Sequence, residues 1–241
     1  QELFFMHKLL LGVLLIASLL PTTVLYAASL SAVSLAAQQT VMTELAKLEK
    51  NNGKYIRSSK LQALKLIKDA IEKNPELAAS LTSFVISQGV GVSATVTTAC
   101  QAAAKSDQAA AITAAAIQAA PPALAAAITA AAISVSPKQA AAITTAAINA
   151  VLKQAPAITS AAVTAAPLQA NAITKAALKA AGSTEVRRLI AVAASNAGVP
   201  VQVINNELKN ITNKNGVYEV FQKDTSNTVN STMTMGSNSE P

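Results

Sequence analysis

A five-residue string, Ala-Ala-Ala-Ile-Thr, stands at Ala109 to Thr113 and returns at Ala125 to Thr129 and Ala140 to Thr144. Degenerate copies follow at Ile158-Thr159 and Ile173-Thr174, so the Ile-to-Ile steps are 16, 15, 15 and 15 residues. Five places after each of these isoleucines comes another branched apolar residue: Ile117, Ile133, Ile148, Val163 and Leu178. A fixed period of this kind is the mark of a repeat architecture, in which each unit buries its apolar surface only by stacking on neighbours. Weaker copies extend back to Val96-Thr97 and Leu81-Thr82, with Ile86 completing the earlier pair.

Proline sets the same phase independently. Counting back six residues from the first apolar place of a repeat lands on Pro75, Pro122, Pro137 and Pro167, and on Ser106 in another slot. Proline is tolerated in the first turn of a helix but breaks its interior, and serine is a favoured N-cap. Each repeat therefore reads as one helix of about 11 or 12 residues, near 17 Å long, followed by a tight turn. Pro156 is out of phase, two residues before Ile158. Either that helix starts late, or Lys138 to Gln154 forms a longer helix that compresses the next.

At 100° per residue the two branched places lie about 140° apart around the helix. A helix with two adhesive sides fits between neighbours in a stack, whereas one packed on a single core needs one stripe. Alanine between those sides permits axis separations toward the low end of about 8–10 Å. The expected fold is all-α: an alanine-rich α-solenoid, or stacked antiparallel short helices in a flattened two-layer sheet, built from repeats of about 15 residues.

The flanks differ from the repeats. Residues 28–74 read as an N-terminal helical hairpin that caps the array. In it Val41, Leu45 and Leu48 share one helix face, Asn51-Asn52-Gly53 makes a stop, and a second helix runs from about Ser59 to Lys73. The repeat domain is assigned to 75–204. Its last unit, Thr184 to Ala197, is opened by Gly182-Ser183 and closed by Gly198 and Pro200, and carries Glu185, Arg187 and Arg188 as a polar terminal cap should. Residues 205–241, a polar tail rich in Asn, Thr, Ser and Lys, read as a fraying helix from Asn205-Asn206 to about Lys214, a short strand at Val217 to Phe221, and a disordered stretch from Lys223 to Pro241.

Residues 1–27 read as a secretory signal peptide with Met6 as the start: His7 and Lys8, an apolar run from Leu9 to Leu20, Pro21, and a small-residue end at Leu25-Tyr26-Ala27. The run is short for the roughly 20 residues that a spanning helix needs. The expected location is periplasmic or extracellular.

The same residues argue against catalysis. His7 is the single histidine and belongs to the signal segment, and no acidic residue occurs between Gln108 and Thr184. General-base pairs, oxygen cages for cations and a Cys–His couple cannot be assembled in the repeats, so no metal and no cofactor is expected. Gly89-Val90-Gly91 lacks the lysine of a phosphate cradle and reads as a turn. The net charge of +7 is spread through acid-containing segments, which supports a mild attraction to anionic surfaces and no nucleic-acid footprint.

The functional expectation is a structural or interaction protein of the cell envelope or matrix, associating with itself or with another envelope or extracellular protein. One alternative is adsorption to an ordered surface such as ice through a row of Thr113, Thr129, Thr144, Thr159 and Thr174, which hold the same place in successive repeats; against it stands the reading that each is a boundary residue whose hydroxyl bonds back to its own helix. A second is membrane activity of the uncharged stretch from Gln108 to Pro137. Cys100, the single cysteine, reads either as a small buried residue at a place where other repeats have alanine or as the site of an intermolecular disulfide.

Overall fold

The computed structural model describes residue 36 and residues 39–48, 50–51 and 54–212. The expected signal segment, 1–27, and the last part of the expected tail, 213–241, lie outside them. The chain divides into two compact units, Gln1–Lys47 and Leu48–Pro241. In the first, residues 39–46 are helical, with Val41 and Leu45 buried.

The second unit opens with a two-residue antiparallel ladder, β1 (Lys50–Asn51) and β2 (Lys54–Tyr55), which pairs Lys50 with Tyr55 and Asn51 with Lys54. The helices then follow as α1 (Arg57–Lys73), α2 (Ala78–Ser87), α3 (Val92–Ala102), α4 (Ala109–Ala119) and α5 (Ala125–Val135). They continue as α6 (Ala140–Ala150), α7 (Ala155–Ala165), α8 (Ala170–Ala180), α9 (Thr184–Asn196) and α10 (Val201–Thr212). The expected all-α repeat fold is present. The helix assigned to the N-terminal hairpin, α1, shares this unit with the repeats and packs on α3.

Helices α4 to α8 are 11 residues each. The phase-setting prolines do not open them directly. Pro75, Pro122, Pro137 and Pro167 each begin a three-residue 3₁₀ turn, and the α-helix starts at the alanine that follows. Leu152–Gln154 forms the same turn without proline, entered from Val151 at φ −149° and ψ 78°, close to the −140° and 72° of Ala166 before Pro167. The shape of this turn thus survives loss of the residue that pre-sets it. Pro156 accordingly causes no phase shift: α7 begins on schedule at Ala155, with Pro156 in its first turn, where its missing N–H costs nothing. Neither a late start nor a lengthened preceding helix occurs. Ser106 is likewise no N-cap for α4. Its hydroxyl donates to the Ala103 carbonyl within a longer turn, at 2.8 Å.

Every helix from α1 to α8 packs most extensively on a helix two places away along the chain, and only secondarily on its immediate neighbours; α8 packs most on α6 and meets α7 and α10 equally. The result is two rows, α1-α3-α5-α7-α9 and α2-α4-α6-α8-α10. Two contacts fix the direction within each row. Gln139, in the turn before α6, hydrogen-bonds Asp107, in the turn before α4, at 3.0 Å, so these even-row helices start at the same end. Leu152, before α7, places its Cδ2 3.8 Å from where a Cβ on Gly182, before α9, would stand. Helices within a row are therefore parallel, and because short turns reverse the chain, the two rows run opposite to each other. One repeat is one helix, turned by about half a revolution relative to its predecessor.

This arrangement explains the sequence pattern. In α4, Ile112, Ala116, Ala109, Thr113 and Ile117 fall at about 0°, 40°, 60°, 100° and 140°, and all five are buried. Isoleucines edge the face that looks into the other row, and small residues fill its centre. Because every helix occupies an equivalent place, consecutive repeats need no alternation of two sequence types, and none is seen. The flanks that meet same-row neighbours carry alanine, as Ala110, Ala114, Ala115 and Ala119 do in α4, which lets parallel helices approach closely.

The boundaries of the array differ from expectation at two places. In α3 the buried residues are Thr95, Val96, Ala99 and Cys100, matching Ile112, Thr113, Ala116 and Ile117 of α4 at a spacing of 17. The Val96-Thr97 match is thus one residue out of register, because the turn after α3 is longer. At the other end the repeats do not stop at Ile204. Helix α10 joins the even row, with Ile204 and Leu208 fully buried and Asn205 largely so.

Candidate functional site

The threonine row is not a surface. Thr113, Thr129, Thr144, Thr159 and Thr174 are all 0% exposed. Their hydroxyls donate to the carbonyls four residues earlier, of Ala109, Ala125, Ala140, Ala155 and Ala170, at 2.7 to 2.8 Å. Thr82 does the same with Ala78. A threonine in this conformation satisfies its own polar group locally and can sit in an apolar interface. The helical wheel carried the signal: each threonine lies at about 100°, inside the arc bounded by the two branched places. The assignment of these residues to an interaction surface is overturned by that burial.

Cys100 is buried as well. It holds the second branched place of its repeat, equivalent to Ile117, rather than an alanine place. Burial pushes its thiol up from an ordinary value of 9.0 to about 12. A thiol that is neither accessible nor ionised cannot form an intermolecular disulfide in the folded protein. The small-buried-residue reading is the one the structure bears out.

Three surfaces remain. Position 240° of each helix faces solvent, giving Gln118, Asn149 and Lys179 along the even row and Ser134 and Thr164 along the odd row. A small or polar uncharged character holds on the helices from α2 to α7. Exposed leucines mark the turns: Leu124 and Leu152 before odd-row helices, and Leu168, 98% exposed, before α8.

The second surface is the C-terminal end of the array. The place held by Ile117, Ile133, Ile148, Val163 and Leu178 is held by Ser195 in α9 and by Lys209 in α10. Beside Lys209, the flank of α10 that would meet a next helix carries Gln202 and Asn206, both exposed. In α9 the corresponding flank holds Arg188, ion-paired to Glu185 at 2.8 Å, and that hydrogen bond lowers the Glu185 pKa. Both rows therefore end in polar faces, as terminal repeats of a stacked array must. The cap expected from α9 is shared with α10. Ser183 caps α9 by accepting a hydrogen bond from the Val186 N–H at 3.2 Å.

The third is an open groove of about 610 Å³ between α6 and α8. Ala141, Thr145 and Asn149 form one wall, and Ala172, Lys175, Ala176, Lys179 and Ala180 the other. Lys175 reaches across to Glu207 of α10 at 3.6 Å. Sequence reasoning missed this site, although lysines four residues apart on one repeat were visible; what was hidden was that α6 and α8 are neighbours.

Among the described residues no three His, Cys, Asp or Glu side chains cluster as a metal site would require, and no helix is long and apolar enough to cross a membrane. No family model, no curated protein and no solved structure matches the chain.

Proposed function

We propose that this is an exported, non-catalytic structural or interaction protein whose helical rows act as a scaffold in the cell envelope or extracellular matrix. Export rests on the basic start, apolar run and small-residue end of residues 6–27. The observation that carries the scaffold reading is the pair of continuous solvent faces, lined by small or amide side chains and borne on close-packed parallel helices. Such faces are extended and rigid, which suits contact with a second copy or with another envelope protein. The polar ends of α9 and α10 direct that contact to the sides of the array rather than to its C-terminal end. Light scattering after size exclusion, over a hundredfold range of concentration, tests the reading. Mass rising with concentration is expected; a monomer throughout, with no envelope or extracellular protein captured by cross-linking in the native host, would overturn it.

A further inference from the structure

We propose that the groove between α6 and α8 binds a short carboxylate-bearing oligosaccharide. The two ammonium groups of Lys175 and Lys179 stand one turn apart on α8. No carboxylate lies in the sequence between Asp107 and Glu185, so the walls of the groove carry no negative charge. Glu207 engages Lys175 at 3.6 Å, while Lys179 makes no ion pair among the described residues. Across the groove, Asn149 offers an amide donor and acceptor. The Thr145 hydroxyl already donates to the Ala141 carbonyl at 3.0 Å, which leaves its lone pairs to accept from a ligand hydroxyl.

The four alanine methyls between these groups give an apolar floor without an aromatic ring. That floor leaves room for the C–H faces of a sugar ring, and two ammonium groups are too few for the run of phosphates that a nucleic acid presents. Point-charge ammoniums on one wall and hydroxyl-matching groups on the other fit an acidic sugar: a carboxylate toward Lys175 and Lys179, ring hydroxyls toward Thr145 and Asn149. The volume is that of a small-ligand site.

Calorimetric titration of the whole protein with trigalacturonic acid, with maltotriose as the neutral control and inorganic polyphosphate as the alternative anion, tests this. Trigalacturonate is expected to bind in a salt-dependent manner, and maltotriose not to bind. The double variant Lys175→Gln/Lys179→Gln is expected to weaken binding at least about tenfold while circular dichroism stays unchanged, because both side chains are exposed. Glu207→Gln, which releases Lys175 from its competing carboxylate, is expected to tighten binding severalfold. Absence of trigalacturonate binding, equal binding by the double variant, or tighter binding of polyphosphate at the same lysines would each overturn the proposal.

Discussion

Gln139 and Asp107 join through a single 3.0 Å hydrogen bond although 32 residues separate them. The bond spans two helices, α4 and α5, and ties one turn to the turn two repeats back. It reports the row order but does not enforce it, since the bond is exposed to solvent. Gln139→Ala should lower stability by no more than about 1 kcal/mol in denaturant titration.

The order is enforced by the isoleucines. Ile143 is fully buried between α6 and its neighbours, so Ile143→Ala should destabilise the protein by about 2–5 kcal/mol, as large-to-small core substitutions do. Leu168→Ala, at a 98% exposed turn position, should change stability by less than about 0.5 kcal/mol. Equal costs at the two sites would contradict the burial pattern.

The threonines make a different prediction. Because Thr144 bonds only to a carbonyl of its own helix, Thr144→Val exchanges a satisfied hydroxyl for a methyl and should alter stability by no more than about 1 kcal/mol. Thermal hysteresis at millimolar protein should be zero, for the row cannot touch ice.

Cys100 links stability to alkaline pH. The unfolded thiol ionises near 9.0, the buried one only near 12, so the folded state holds its proton more tightly. The stability this group contributes is fully present below pH 9 and is lost as pH rises toward 12. Cys100→Ala should flatten the fall in stability across that window relative to the parent, and the native thiol should resist Ellman's reagent until the protein unfolds. A thiol that reacts at once in the native protein would contradict its burial.

The polar ends can be reversed. Replacing Gln202, Asn206 and Lys209 by Ala, Ala and Ile recreates the flank of an internal repeat at the end of the even row. Sedimentation should then show end-on association beyond that of the parent, since the uncapped face is apolar.

The repeats and their phase were legible in the sequence because Ile112, Ile117 and their equivalents recur at fixed spacing, but these two places, read as two separate adhesive sides, instead edge one buried arc that also takes in Ala109, Thr113 and Ala116. Which helices would meet was not legible. A helical wheel says what is buried but not by what, so the two-row order, and with it the groove joining Asn149 to Lys179, became visible only in three dimensions. The helix itself was legible from Asn205 onward, but the packing of α10 into the array escaped because Asn205, Asn206 and Lys209 give it a polar composition, while two residues four apart, Ile204 and Leu208, supply its burial. The register of α3 escaped because an apolar-Thr pair served as the guide, and there the order of types is inverted to Thr95-Val96. Of the two readings of the threonines, the back-bonded hydroxyl holds and the surface row does not, as their angle of about 100° inside the buried arc required.

A dipolar EPR distance between spin labels at Lys105 and Leu168, introduced as Lys105→Cys and Leu168→Cys in a Cys100→Ala background, tests the two-row array most directly. These residues precede α4 and α8, two steps apart within one row, so a distance of about 20 Å is expected from axis separations of about 8–10 Å. A distance near 35–40 Å, that of four helices in single file, or near 90 Å, that of one continuous rod, would contradict the account.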